Sequence, residues 1–375
     1  PNYMKRRQDA NSQNGVQIGS RSAAGTPLFW RLLPDIMFLA RRWAGLDREI
    51  ILEISGLSKE FAVKGRMFPY KKEMLKAVQN VTLTLEKGET LGIVGESGCG
   101  KSTLGRLIMR LIEPTCGSVV LEGENLMDLS SQKLRRHRKD FQMIFQDPYA
   151  AFDPRMSIKA ILEEPLRTHG IPKEQWEERI TRMLEMTGIP LDALKRYPHE
   201  FSGGQRQRIS IARAILLNPK VIIADEPVSA LDVSIQAQIL NLLKELQEKF
   251  QMTMIFISHN LASVQYVSHR VAVMYLGRIV EIAPSDALYE RPLHPYTQAL
   301  ISAIPIPVPG AGMERKRLTG EVPSPIHLPR GCAFRMRCPY GDEACAGKVP
   351  ELTEAEPGHY VACDKYKSAE VIHEI

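Results

Sequence analysis

Gly95-Glu96-Ser97-Gly98-Cys99-Gly100-Lys101-Ser102-Thr103 packs more potential chemistry into nine residues than any other stretch of the chain. Glycines let a backbone curl until successive N–H groups face inward, a concavity suited to a chain of phosphates. A helix opening near Ser102 adds its positive dipole end to the same point. Lys101 would reach the β- and γ-phosphates, and the Ser102 hydroxyl would hold Mg²⁺. The apolar run Leu91–Val94 comes directly before, so the strand–loop–helix setting of the Walker A pattern is complete. The full pattern favours phosphate binding over a glycine-rich turn that binds nothing. Gly95, Ser97, Gly98, Cys99, Gly100, Lys101, Ser102 and Thr103 are thus candidates for holding a nucleoside triphosphate. Many kinds of NTPase share such a loop, so the class has to come from elsewhere.

Val221-Ile222-Ile223-Ala224-Asp225-Glu226 is an apolar strand ending in two acids. Asp225 is placed to bind Mg²⁺, directly or through water, and Glu226 to polarise a water for attack on the γ-phosphate. Taken alone, an acid pair before Pro227 equally suits a helix N-terminus; beside the phosphate loop it reads as Walker B. Phe201-Ser202-Gly203-Gly204-Gln205 then offers a second anion site, a Ser N-cap with two glycines at a helix start. Two phosphate-binding helix starts imply either two ligands or a partner.

This last stretch resembles the signature sequence of ABC ATPases, with Phe201 where Leu is commonest. The resemblance implies that Ser202, Gly203, Gly204 and Gln205 close over ATP held by another subunit, so that a lone chain hydrolyses poorly. Other positions match the family pattern one by one. Gln146 resembles the Q-loop glutamine that senses Mg²⁺, and Asp232, in Ser229-Ala230-Leu231-Asp232, resembles the D-loop contact to the opposite site. His259 resembles the H-loop histidine of the γ-phosphate, and Phe61 the aromatic that stacks on adenine. Asn260 departs from the pattern, because Asp usually follows the histidine; tuning rather than loss is expected while Asp225 and Glu226 are intact.

One ATPase unit without a membrane span resembles bacterial importers, whose ATPase and permease subunits are separate chains. Arg291-Pro292-Leu293-His294-Pro295-Tyr296-Thr297, with the residues on to Pro307, resembles the extension of dipeptide and oligopeptide importer ATPases. The implied function is to power import of di- or oligopeptides from the cytoplasmic face of the inner membrane. The implied partners are a second ATPase, two integral membrane permeases and, indirectly, an extracytoplasmic substrate-binding protein. An importer of nickel chelates, glutathione or another small solute is the near alternative. A soluble ABC ATPase acting on nucleic acid or ribosomes is the distant one. No nucleic-acid partner is expected, since no aromatic–basic interleaving occurs.

Cys332, Cys338, Cys345 and Cys363 crowd four of the six cysteines into the tail. Four thiolates at this spacing suit a metal centre, and the Cys-x-x-Cys pairs usual in zinc ribbons are absent. The spacing resembles the four-iron, four-sulfur site of this importer subfamily, with structural zinc as the rival and four free or paired thiols as the plain alternative. Without an export signal, a disulfide framework is disfavoured.

These residues need a scaffold. Short β-branched runs at Ile51–Ile54, Leu91–Val94, Val119–Leu121, Met143–Phe145, Val221–Ala224, Met254–Ile257 and Arg270–Met274 alternate with helical patterns. Such alternation predicts an α/β domain with a largely parallel sheet, and the resemblance makes it the P-loop NTPase (ABC ATPase) fold. The expected organisation is a basic N-terminal extension over 1–49, an ATPase domain over 50–290, and an extension carrying the cysteines over 291–375. A helical subdomain is expected at about 150–215. The chain is expected to turn irregular after Pro284 and to form a small separate unit from about Leu318. Composition is ordinary for a globular protein, 44% hydrophobic and 25% charged, and no apolar stretch is long enough for a spanning helix. Of the net charge of +6, residues 1–50 hold +4, from eight Lys/Arg against four acids. That leader reads as a segment lying on anionic lipid or as a solvated tail.

Overall fold

Runs such as Val221–Ala224 carry apolar side chains on consecutive residues, so they can be strands only where both faces of a sheet are covered. The computed structural model describes residues 49–64, 72–149, 151–304 and 318–366, within one compact unit spanning Glu49–Ile375. The basic leader of residues 1–48 lies outside the described residues, as do residues 305–317 of the proline-rich stretch.

The first half of the chain contributes β1 (Ile50–Lys64), β2 (Lys72–Glu86), β3 (Thr90–Val94), α1 (Lys101–Ile108), β4 (Cys116–Leu121), β5 (Glu124–Asn125), α2 (Ser131–His137) and β6 (Phe141–Ile144). Three helices follow without an intervening strand: α3 (Ile158–Thr168), α4 (Trp176–Thr187) and α5 (Gly203–Ile215). The alternation then resumes with β7 (Val221–Asp225), α6 (Val233–Phe250), β8 (Thr253–Ile257), α7 (Leu261–Val267), β9 (Arg270–Tyr275) and β10 (Arg278–Pro284). Last come α8 (Ser285–Glu290), α9 (Pro295–Ser302), α10 (Ala344–Gly347), β11 (Thr353–Glu356) and β12 (His359–Val361). None of the described helices is long and apolar enough to cross a membrane.

Eight strands form one sheet in the order β11-β12-β10-β9-β3-β8-β7-β6. The five from β9 to β6 run parallel, as the sequence predicts. Side chains alternate between the two faces. Ile222, Ala224, Met254, Phe256, Val271 and Val273 pack into one core with residues of α3, α4, α5 and α6. Val221, Ile223, Ile255, Ile257, Ala272 and Met274 pack into the other, with residues of β1, β2 and α1. Each buried Ile or Val contributes about 1.5–3 kcal/mol. A one-residue slip would send every one of them to the wrong core, which locks the register.

The second sheet, β2-β1-β4-β5, is wholly antiparallel. Neither it nor the strands β2 and β10 were expected from the short β-branched runs. Helix α1 stops at Ile108; two residues on, Arg110 turns left-handed (φ 48°) and its guanidinium donates to the carbonyls of Leu126 and Leu129.

Two C-terminal expectations are corrected. Beyond Pro284 the chain is helical in α8 and α9; Pro295 sits at the first turn of α9, where its missing N–H costs nothing. Nor do the residues after Leu318 fold apart. Strand β12 adds to the main sheet beside β10 (Glu281↔Val361, Ile282↔Tyr360), and the Phe334 ring lies in the main core, 2% exposed.

Candidate functional site

Parallel strands deliver their C-terminal ends to one edge of a sheet, which is where open α/β sheets bind ligands. Here β3 delivers the phosphate loop, β7 delivers Asp225 and Glu226, and β8 leads into His259. A cleft of about 560 Å³ opens at this edge. It is lined by Ser97, Gly98, Cys99, Gly100, Lys101, Ser102 and Thr103, by Gln146, Glu226 and His259, and by Phe61. That size is ordinary for a small-molecule site.

The loop's curl comes from glycines in left-handed conformations. Gly100 has φ 108°, and a Cβ there would fall 2.2 Å from the Ala77 carbonyl oxygen. Lys101 is 4% exposed and spans the loop, its ammonium donating to the carbonyls of Gly95 (2.8 Å) and Glu96 (3.0 Å). Gly95 therefore sits behind the lysine rather than on the cleft wall. Cys99 is buried, and burial pushes its thiol up.

Ser102 Oγ donates to Asp225 Oδ1 at 2.7 Å, joining the two ends of the nucleotide reading across 123 residues. Asp225 is 2% exposed; burial raises its pKa, against the pull of the Ser102 hydroxyl and the charge of Arg106. A desolvated carboxylate beside a hydroxyl is a pair of hard oxygen donors, a set that fits Mg²⁺.

Glu226 follows with φ 46°, a left-handed conformation that costs a non-glycine residue about 1–3 kcal/mol. The neighbours hold it there: Glu226 N–H donates to the Ile257 carbonyl at 2.9 Å, and Ser229 Oγ donates to the Glu226 carbonyl at 3.1 Å. The side chain so aimed is bracketed. Gln146 Nε2 donates to one carboxylate oxygen at 3.1 Å, and His259 Nδ1 lies 3.3 Å from the other. Three residues singled out separately in the sequence thus meet at one carboxylate. Asn260, the departure from the pattern, caps α7 by accepting the Ser263 N–H at 3.2 Å, a task Asn performs as well as Asp.

Phe61 reaches the cleft wall from β1, with the Lys59 ammonium 5.1 Å from its ring centroid. The second helix start lies elsewhere: none of Ser202, Gly203, Gly204, Gln205 or Asp232 lines the cleft. Ser202 and Gln205 form a reciprocal capping box (3.0 and 3.3 Å). The amides of Gly203 and Gly204 are thereby left as the helix-start donors. Gly204 is also a packing requirement, since a Cβ there would fall 2.5 Å from Ile235. Nearby, Val233 is 83% exposed beside the exposed Asp232.

Cys332, Cys338, Cys345 and Cys363 line a separate cavity of about 470 Å³, all as free thiols. Burial pushes the Cys363 thiol up to about 11 and raises Cys332 and Cys338 as well. Four soft donors on one cavity fit a thiolate-bound metal in type and number. Among the described residues, however, no group of three or more His, Cys, Asp or Glu is arranged to hold an ion.

Sequence reasoning missed Glu96 as anything but a loop residue, and missed Tyr296 and Arg337 as its partners. Glu96 N–H donates to the Tyr296 hydroxyl at 2.9 Å, and Arg337 grips the Glu96 carboxylate. No local signal could have found contacts across 200 and 241 residues.

The chain matches the family described as ABC transporter over residues 78–229. It matches the oligopeptide/dipeptide transporter C-terminal region over residues 280–345. It is 50% identical over 324 residues to the oligopeptide transport ATP-binding protein AppF of Bacillus subtilis, covering 85% of this chain and 98% of that protein. Among solved structures it resembles the dimeric, post-hydrolysis ATP-binding cassette MJ0796 bound to ADP and Pi. There the TM-score is 0.56 and the identity 28%, over 63% of this chain and 99% of that one. The fold is also that of cbiO1 from Clostridium perfringens, with a TM-score of 0.56 and 24% identity over 65% and 92% of the two chains.

Proposed function

The chain belongs to the ABC transporter ATP-binding family, in its oligopeptide and dipeptide branch, and from that premise we propose that it hydrolyses ATP to power a peptide importer. The observation that carries the chemistry is the joined cleft: Ser102 bonded to Asp225, and Glu226 bracketed by Gln146 and His259, beside the phosphate loop.

In this reading Lys101 turns from the loop carbonyls to the β- and γ-phosphates, and the loop amides hold the remaining phosphate oxygens. Ser102 and Asp225, with Gln146, would hold Mg²⁺, which neutralises phosphate charge when bound. Glu226 orients a water in line with the γ-phosphate and accepts its proton; His259 donates to the γ-phosphate. Phe61 stacks on the adenine. Ser202, Gly203, Gly204, Gln205 and Asp232 lie off the cleft because they serve the ATP of a second ATPase subunit, and the exposed Val233 belongs to that contact. MJ0796, a dimer in its post-hydrolysis state, supports the arrangement.

The three consecutive helices α3, α4 and α5 correspond to the helical subdomain, and two permease subunits in the inner membrane are the partners that closure of the dimer would move. The B. subtilis relative named for oligopeptide transport supports a peptide as the cargo, and an extracytoplasmic binding protein would deliver it. The four cysteines would hold a metal centre, a four-iron, four-sulfur cluster ahead of zinc, acting as a staple for the C-terminal segment.

A mild-detergent pull-down of the full chain from native membranes tests the importer reading. Two multi-span proteins and a second ATPase should co-purify. Recovery from the cytosol with ribosomes or nucleic acid would keep the ATPase chemistry and overturn peptide import.

A further inference from the structure

The phosphate loop is gripped from behind by the C-terminal segment. Arg337 Nη1 and Nη2 donate to the two carboxylate oxygens of Glu96 at 2.8 and 2.9 Å, a bidentate fork. The Arg337 side chain is 8% exposed and that of Glu96 28%, so solvent screens the pair weakly. The guanidinium lies 5.9 Å from the Tyr275 ring centroid, and Phe334 meets that ring edge-on at 5.3 Å. On the main chain of the same residue, Glu96 N–H donates to the Tyr296 hydroxyl. Both contacts come from beyond the end of the main α/β alternation.

Glu96 itself does not line the cleft. Its carbonyl, with that of Gly95, instead supports the Lys101 ammonium. Its side chain is thus held by Arg337, its amide by Tyr296, and its carbonyl faces the lysine that would meet the phosphates. We propose that Arg337 is a positioning residue for the phosphate loop: through Glu96, the C-terminal segment sets the affinity for nucleotide without touching it. This rests on reading the cleft as the ATP site.

A bidentate Arg–carboxylate pair is geometrically specific as well as strong. Releasing Glu96 frees the loop to sample arrangements in which Lys101 and the amides no longer converge, so the binding-competent fraction falls and the apparent Kd rises in proportion. A staple that only fastened the C-terminal segment to the core would lower Tm and leave Kd alone.

The test is equilibrium binding of a fluorescent ATP analogue to the full chain well below Tm, for Arg337→Ala, Arg337→Lys, Glu96→Gln and the double variant Glu96→Gln/Arg337→Ala. Each of Arg337→Ala and Glu96→Gln should raise Kd about tenfold, and the double variant no further, since the two act through one contact. Arg337→Lys, which keeps the charge but not the fork, should recover part of the loss. Kd unchanged in Glu96→Gln, or effects that multiply in the double variant, would overturn the proposal; Glu96→Gln decides it even if Arg337→Ala fails to fold. Lys101→Ala separates the two readings. If it binds nucleotide like the parent, the ATP-site reading itself fails; if it loses binding while Glu96→Gln does not, only the clamp fails.

Discussion

Replacing Gly100 and Gly98 by alanine, one at a time, asks whether the phosphate loop is shaped by conformational freedom alone or also by close backbone contact. Both glycines are left-handed, at φ 108° and 78°. A left-handed alanine costs about 1–2 kcal/mol in either place. The surroundings differ sharply. A Cβ on Gly98 meets nothing within 4 Å, whereas on Gly100 it falls 2.2 Å from the Ala77 carbonyl oxygen and 3.0 Å from Met274 Cε. The first of these is about 1 Å inside the roughly 3.3 Å approach of carbon to a carbonyl oxygen. The methionine end can swing aside, but the Ala77 carbonyl belongs to β2 and cannot move without its strand. Overpacking of this kind adds about 1–3 kcal/mol. The sums are about 1–2 kcal/mol for Gly98→Ala and about 2–5 kcal/mol for Gly100→Ala.

At about 2 °C per kcal/mol for a unit of this size, Tm should fall by about 2–4 °C and about 4–10 °C respectively. Thermal unfolding by intrinsic fluorescence, without nucleotide, measures both. Gly100→Ala should also weaken ATP-analogue binding on the order of 100-fold, because a loop displaced by about 1 Å carries Lys101 with it. Equal losses of Tm in the two variants, or a larger loss in Gly98→Ala, would refute the contact argument.

Glu226→Gln keeps the shape of the side chain bracketed by Gln146 and His259 but removes its basicity. Turnover in the assembled transporter should fall about 10²–10⁴-fold with ATP binding intact, and preserved turnover would remove Glu226 as the base. His294 is 2% exposed and accepts the Tyr296 N–H at Nδ1, which requires the neutral ring. Burial lowers its pKa from 6.5 to about 4, with the Glu281 charge opposing. Protonation then favours the unfolded chain, so stability is complete above pH 6.5 and declines as pH falls toward 4, by about 3 kcal/mol in all. His294→Asn, which can still cap α9, should flatten that slope in urea titrations at pH 7 and pH 5; an unchanged slope would assign the loss elsewhere. Anaerobic purification should yield iron, sulfide and broad visible absorbance. Zinc without iron would select the rival metal, and no metal at all would remove the staple.

The site was legible where its chemistry is local. The nine residues from Gly95, the strand ending in Asp225-Glu226, and Ser202 before two glycines each contain their own reason, because loop amides, strand ends and N-caps are built from neighbours in sequence. The parallel centre of the sheet was legible too, since strands buried on both faces show as unbroken apolar runs. Strands β2 and β10 and the antiparallel sheet escaped, because their pairing is with distant segments, Leu83 opposite Ile54 and Ile282 opposite Tyr360, and because the buried Glu281 interrupts the apolar run of β10. A tail counted as separate from Leu318 onward joined the main sheet for the same reason.

What the sequence determined by itself is therefore the inventory of groups: a phosphate loop, two acids, a second helix start, a glutamine, a histidine and four thiols. Only the tertiary structure decided which of them meet. Ser102 found Asp225 across 123 residues and Gln146 found Glu226 across 80, while Arg337, outside that inventory, found Glu96 across 241. Spacing along a chain constrains contacts only over a few residues; beyond that, the burial of two cores on opposite faces of one sheet sets the distances.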